Sequence, residues 1–299
     1  MSHASREPGK RLPRVLSIAG SDSGGGAGVQ ADLKAFARCG AHGMTAITAI
    51  TAQNTVGVLA VHPVPAEIIL AQVRAVQQDI GIDAVKVGML GNIETVRAVA
   101  EALEGLPPGT PIVVDPVMVA ESGARLLERD AEAALAQLIL PLATVTTPNL
   151  AEARALADLA PQVAAAVRVA ADSAPEGPAS EEAPRLARAV HALGPQVAVV
   201  TGGHGEDGTD VFFDGHEIVT IPGERHLGGS AHGSGCTHSS ALAALLAWGR
   251  SPLEAARGAR TLAAVAVRDG LDPVGKGAGP VDVLGLRAAA LPDAQGRLP

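Results

Sequence analysis

Aromatic side chains are almost missing from this 299-residue chain: Phe36, Phe212, Phe213 and Trp248 are the whole set, and there is no tyrosine. That argues against the stacking platforms that bind single-stranded nucleic acid, which need a π-face for each base. Cysteine is nearly as scarce, with only Cys39 and Cys236. Two thiols in a chain this long make no disulfide framework, and no Cys/His cluster has zinc spacing. No apolar run reaches the roughly 18 residues of a membrane span, and no signal-like apolar segment follows the polar N-terminus. Positive charge is thin as well, 23 Lys and Arg against 31 Asp and Glu. The one basic cluster, Lys10, Arg11 and Arg14 around Pro13, reads as a solvated arm. These absences leave a cytoplasmic protein that binds neither nucleic acid nor membrane.

What is present is aliphatic. With 47% hydrophobic residues and so few rings, the core has to be built from Ala, Val, Leu and Ile. That favours buried parallel strands covered by Ala-rich helices. The order of signals agrees. Strand-like stretches at 14–20, 43–55, 57–64, 83–90, 111–117, 143–149 and 196–203 alternate with helical ones at 27–40, 65–80, 92–105, about 130–140 and from 150 onwards. The first helix has apolar spacing at Val29, Leu33 and Phe36. A hairpin at 210–223 and two helices, at about 236–249 and 252–268, complete the chain. This is an α/β fold: one domain over 14–285, its mostly parallel sheet covered by helices on both faces, with a small β-hairpin appendage. Residues 1–13 and 286–299 read as tails. The Pro/Gly/Ser/Glu-rich stretch within 158–182 reads as a mobile surface insertion.

Four places carry chemistry. The run GSDSGGGAGVQAD (20–32) follows a strand and opens a helix; it is no Walker loop, since no Gly-Lys-Ser/Thr follows, but it allows close backbone approach to a flat ligand. Asp32 lies in that helix and reads either as an exposed acid or as a ligand contact. Gln53, in TAQNT, closes a strand where the sheet faces its ligand crevice. Its amide has an acceptor beside donors, the complement of an aminopyrimidine edge. Asp115 and, in TTPNLAE, Asn149 and Glu152 sit at two further strand ends, where carboxylates could hold Mg²⁺ largely through water. Asn149 and Glu152 equally match a helix N-cap and its capping-box partner. The fourth is HGSGCT: Gly233, Gly235 and Cys236 at the start of a helix, where amides and the helix dipole make an anion hole. A helix N-terminus also lowers a cysteine pKa, so Cys236 could serve as a base.

In order along the chain, IAGSDSGGGAGVQADLKAF, TAITAQNT, VKVGML, VDPVMVAESG, TPNLAEA, VVTGGH, HGSGCT and GKGAGPVDVLG resemble the hydroxymethylpyrimidine/phosphomethylpyrimidine kinases of thiamine biosynthesis, which have the ribokinase-like fold. The resemblance implies transfer of the γ-phosphoryl of ATP, with Mg²⁺, to 4-amino-5-hydroxymethyl-2-methylpyrimidine and then to its monophosphate. It implies that Gly20, Asp32, Gln53 and Met89 contact the pyrimidine, and that Asp115, Asn149 and Glu152 serve the nucleotide phosphates and metal. Thr201, Gly203 and Lys276 would lie along the nucleotide. Cys236 would stand where many ribokinase-like enzymes have a catalytic Asp, and the protein would be a homodimer.

The chain departs from the pattern at Glu121, where the family often has Lys, and at Thr201, another frequent Lys. Both remove positive charge and bear most on the second, anionic acceptor. The approach to the anion hole (226–231) also lacks the family's usual Asp and Thr. The alternative is a pyridoxal kinase of the same fold; a nucleotide-dependent lyase and a non-catalytic pyrimidine sensor are more distant readings.

Overall fold

The computed structural model describes residues 11–167, 182–202, 208–224, 226 and 230–288. Alternating Val, Ile and Ala build the strands β1 (Arg14–Asp22), β2 (His42–Gln53), β4 (Ala84–Val87), β5 (Ile112–Val114), β6 (Val145–Thr146) and β7 (Val197–Val200), which lie parallel in one sheet. β3 (Val58–Pro63) pairs antiparallel with β2 at one edge. At the other edge β8 (Asp210–Phe213) and β9 (Ile218–Ile221) add antiparallel strands, so the expected hairpin continues the main sheet. The order across the sheet is β3-β2-β1-β4-β5-β6-β7-β8-β9.

Successive side chains on a strand point to opposite faces, so each strand feeds two cores. Leu16, Ile18, Val85, Val87, Ile112 and Val114 enter one. It is covered by α2 (Ala66–Asp79), α3 (Ile93–Glu104), α4 (Arg129–Ala134), α5 (Leu150–Val167) and α6 (Glu182–His191). Val15, Ala84, Val113, Val197 and Val199 enter the other, with Phe36 of α1 (Gly28–Arg38) and the Ala/Leu faces of α7 (Ser234–Ala247) and α8 (Pro252–Arg268). Leu242 and Leu246 of α7 are buried as their spacing requires, and Leu245 packs at the margin. The helix expected near 130–140 becomes α4 followed by a π-turn, Leu135–Ile139.

The insertion expected within 158–182 falls largely on residues 168–181, outside the described part; before it, the α5 backbone stays helical to Val167. Of the expected tails, residues 1–10 and 289–299 are also outside. Leu286–Ala288 forms a single 3-10 turn fastened by two backbone N–H bonds to Asp282.

Candidate active site

Parallel strands bring their carboxyl ends to one edge of the sheet, and a cavity of about 410 Å³ opens there. Gly20, Gln53 and Met89 line one end, and Asn149, Glu152 and Thr201 lie with the α8 face Ala263, Ala264 and Val267 at the other. Gly233–Cys236 and Asp115 stand between, so the proposed ring reader and the proposed anion hole share one space. Gly20 packs against Met89: a Cβ there would come 3.0 Å from its sulfur.

The anion hole is built by backbone. Gly233 takes φ 85°, a conformation that favours glycine, and caps α7. The first turn of a helix leaves N–H groups without helical partners. Gly235 and Cys236 belong to that first turn and line the cavity, while the N–H of Ser234 goes to the Ala231 carbonyl.

Asp32 departs from both sequence readings. It is neither exposed nor in the cavity wall: it is fully buried, and its carboxylate is taken by Lys86 Nζ (2.9 and 3.1 Å), Ser240 Oγ (2.7 Å) and Ser17 Oγ (2.5 Å). Its part in the site runs through Lys86, which does line the cavity. Burial works against the Lys86 charge, but the Asp32 carboxylate, with Asp115 behind it, outweighs it and holds the ammonium well above an ordinary lysine. A buried cation needs such a partner to remain charged.

Cys236 corrects a second expectation. Burial pushes its thiol up, to about 12, and the opposing pull of Lys86 and of a Gly28 N–H does not reverse that. A local helix-terminus argument predicts a lowered thiol; packing in the assembled site raises it instead, although Cys236 keeps part of its surface open to the cavity. Asp115, reached by Ser239 Oγ (3.0 Å) and 4.0 Å from Lys86, is also raised by burial, more than Lys86 and Ser239 lower it.

Asn149 and Glu152 form the expected capping box. The Glu152 N–H donates to Asn149 Oδ1 (2.9 Å), and the Asn149 N–H donates to Glu152 Oε2 (3.0 Å). Glu152 still borders the cavity, so capping and ligand binding coexist. Thr201 joins them through a parallel bridge to Asn149. Gly203 lies outside the described residues. Lys276 is not in the cavity wall: its loop docks on the turn after Gln53, where the N–H groups of Lys276 and Gly277 donate to Thr55 Oγ1.

Thr51 Oγ1 donates to the Ser21 carbonyl (2.7 Å). Gln53 Oε1 lies 3.2 Å from the same hydroxyl, which has one proton for the two acceptors and spends it on the nearer Ser21 carbonyl. That leaves the Gln53 carbonyl oxygen and its amide N–H groups, side by side, for a ligand.

With this geometry in place, comparison with known proteins is decisive. Residues 22–282 match the family model described as phosphomethylpyrimidine kinase. The chain belongs to that family. The hydroxymethylpyrimidine/phosphomethylpyrimidine kinase of Rhizobium meliloti is 48% identical over 271 residues, covering 89% of this chain and 95% of the relative. Among solved structures, pyridoxal kinase from Staphylococcus aureus in complex with ADP superposes with TM-score 0.78 at 33% identity, covering 93% of this chain and 95% of that one. Phosphomethylpyrimidine kinase from Clostridium difficile does so with TM-score 0.66 at 35% identity, over 83% and 96%. This member of the phosphomethylpyrimidine kinase family is thus a phosphotransferase with the ribokinase-like fold, and the Rhizobium kinase is nearer in sequence than the pyridoxal kinase. Among the described residues no helix is long and apolar enough to cross a membrane.

Among the wall residues that escaped the sequence reading are Lys86, Asp22 and His232. A lone lysine inside the apolar strand AVKV was the available signal for the first, since strand interiors rarely carry a charge without a partner. Asp22 and His232 sat inside quoted motifs, and nothing in the local pattern separates them from turn residues.

Proposed function

We propose that this kinase transfers the γ-phosphoryl of ATP to the hydroxymethyl oxygen of 4-amino-5-hydroxymethyl-2-methylpyrimidine, and then phosphorylates the monophosphate. In the first step the alcohol oxygen bonds to the γ-phosphorus as the bond to the β–γ bridging oxygen breaks; the alcohol proton passes to an oxygen of the transferred phosphoryl group and from there to water, and ADP leaves. The observation that carries the reading is the shared cavity: a Gln53 amide offering acceptor and donor together, and an anion hole within the same space. Phosphoryl transfer needs positioning and charge stabilisation more than a strong base. The Gly235 and Cys236 amides and the Lys86 ammonium supply these, which suits a protonated Cys236.

Mg²⁺ fits the residues present. Asp115 and Glu152 both border the cavity, and their carboxylate oxygens are the hard donors that Mg²⁺ takes. Burial raises the Asp115 carboxyl, and a cation bound beside it would offset that cost. Asp115 and Glu152 would hold the ion mainly through water, as Mg²⁺ prefers, and it would supply charge neutralisation at the phosphates. Use of ATP as donor supports a cytoplasmic enzyme.

A coupled ADP-release assay tests the acceptor. The pyrimidine alcohol should support turnover, pyridoxal should be the poorer acceptor, and Gln53→Ala should lose at least tenfold in kcat/KM on the pyrimidine, one satisfied polar contact being worth about 1.5 kcal/mol or more. Faster wild-type turnover on pyridoxal would instead favour the alternative.

Glu121 sits at an exposed turn, bordering both the main cavity and a smaller one beside Gln53 and His232. Its charge opposes the phosphate of the second acceptor. Glu121→Lys is expected to raise kcat/KM for the monophosphate about tenfold, or ~1.4 kcal/mol, more than for the alcohol, and the gain should shrink as salt is added.

The β3 edge supports a homodimer. Leu59 is 78% exposed, with Ile50, Val56 and Val61 also open, and an apolar sheet edge invites pairing. Light scattering should give a dimer for the wild type and a monomer for Leu59→Asp; a monomeric wild type would refute the assignment.

A further inference from the structure

Two glycine-rich loops meet over the acceptor end of the cavity, and one carboxylate fastens both. Asp22 closes β1 and is almost wholly buried. Its Oδ1 accepts the N–H of Gly24 (2.8 Å), and its Oδ2 those of Gly26 (3.0 Å) and Ala27 (2.8 Å). From the anion-hole side, His232 Nε2 lies 3.2 Å from the same Oδ2. Burial works to raise the Asp22 carboxyl, but the His232 bond and the N–H groups of Ala27 and Gly24 prevail and hold it below the usual range. An ionised carboxylate can only accept, so the His232 ring carries a proton on Nε2.

The loops are in contact as well as bonded. A Cβ on Gly26 would overlap the His232 ring, and one on Gly233 would overlap the Gly26 carbonyl oxygen. The Asp22 side also carries the ring reader: Ser23 Oγ donates to the Gln53 carbonyl (2.6 Å) and accepts the Gln53 N–H (2.8 Å). The His232 side carries the anion hole, since His232 directly precedes the helix cap Gly233 and its carbonyl is held by the Val281 N–H (3.1 Å).

We propose that Asp22 and His232 are a positioning pair: their bond sets where an acceptor hydroxyl held at Gln53 falls relative to the anion hole at Gly233–Cys236. Neither side chain has to touch the reacting atoms. The inference rests on the reading of the cavity as a phosphoryl-transfer site, where a misplacement of about 1 Å can cost on the order of a hundredfold in rate.

The test is steady-state kinetics on His232→Ala, His232→Gln, Asp22→Ala and the double alanine variant, with kcat corrected for the folded fraction from melting curves. His232→Ala should lower kcat about a hundredfold with both KM values nearly unchanged, because binding survives and alignment does not. His232→Gln keeps an amide N–H within reach of Asp22 and should recover most of the loss. Adding His232→Ala to Asp22→Ala should cost little more, since one bond is already gone. If Asp22→Ala does not fold, the Ala and Gln variants of His232 decide alone. Equal losses in those two, a loss confined to KM, or additive losses in the double variant would overturn the pair. Wild type silent on the pyrimidine but active on pyridoxal would overturn the acceptor assignment only, and the same ratios would then be read on pyridoxal. Silence on both overturns both.

Discussion

Lys86→Met is expected to unfold at much lower denaturant than the wild type, with a loss of about 3–5 kcal/mol, the usual cost of leaving one partner of a buried ion pair alone. Asp32 would keep the hydroxyls of Ser17 and Ser240 but lose the ammonium 2.9 Å away, with no solvent to replace it. Turnover should fall as well, by on the order of a hundredfold or more, as for loss of one positive charge bordering the transfer site. The two losses can be separated. Lys86→Met combined with Asp32→Asn removes both charges while leaving an amide oxygen for the serines. Its stability should return to near the wild-type value, since neutral replacements of buried pairs are often tolerated, and its turnover should not. Chemical denaturation and the ADP-release assay read the two quantities independently. A double variant that regained turnover would reduce Lys86 to a counter-ion for Asp32.

Much of the architecture was legible because it is repetitive. A sheet buried on both faces needs runs such as VKV and IVV at regular spacing, and each run became a strand. The central strands are shorter than the apolar stretches suggest, β4 being Ala84–Val87 within the expected 83–90 and β6 Val145–Thr146 within 143–149, whereas β1 runs on to Asp22. At the carboxyl edge the regular ladder thins to single contacts, Thr147 to Val114 and Asn149 to Thr201, and these residues line the cavity. Gln53, Asp115 and Glu152 were legible for the same reason, since residues just past parallel strands must meet. Asp32 was not. The spacing of α1 put Leu33 inside; the helix instead turns Asp32 inwards and leaves Leu33 partly exposed, because Lys86, 54 positions away, neutralises the carboxylate. The raised thiol of Cys236 escaped in the same way. A helix terminus is written in the local sequence, whereas burial comes from every element that packs over it.

The anion hole gives the other large effect. Gly233→Ala should lose on the order of a hundredfold or more in kcat together with about 1–3 kcal/mol of stability. An added Cβ meets the Gly26 carbonyl oxygen, a backbone atom that cannot swing aside, and φ 85° is itself unfavourable for alanine. Relief must come from sliding the anion-hole loop away from the acceptor loop. Gly235→Ala makes the contrast, for a Cβ there has no neighbour within 4 Å and the residue is already helical. That variant should hold or gain stability by about 0.5–1 kcal/mol, the ordinary preference of a helix for alanine over glycine. Its turnover should still drop, because Gly235 borders the space a transferring phosphoryl group would use. Cys236→Ala keeps every backbone amide and removes only a protonated thiol, so its kcat should fall least of the three. Kinetics and melting on these three variants decide which part of the turn does the chemistry. If Cys236→Ala were the most damaging, a thiolate base would have to be restored to the mechanism, and the burial that keeps the thiol protonated in this structure would have to be relieved when substrate binds.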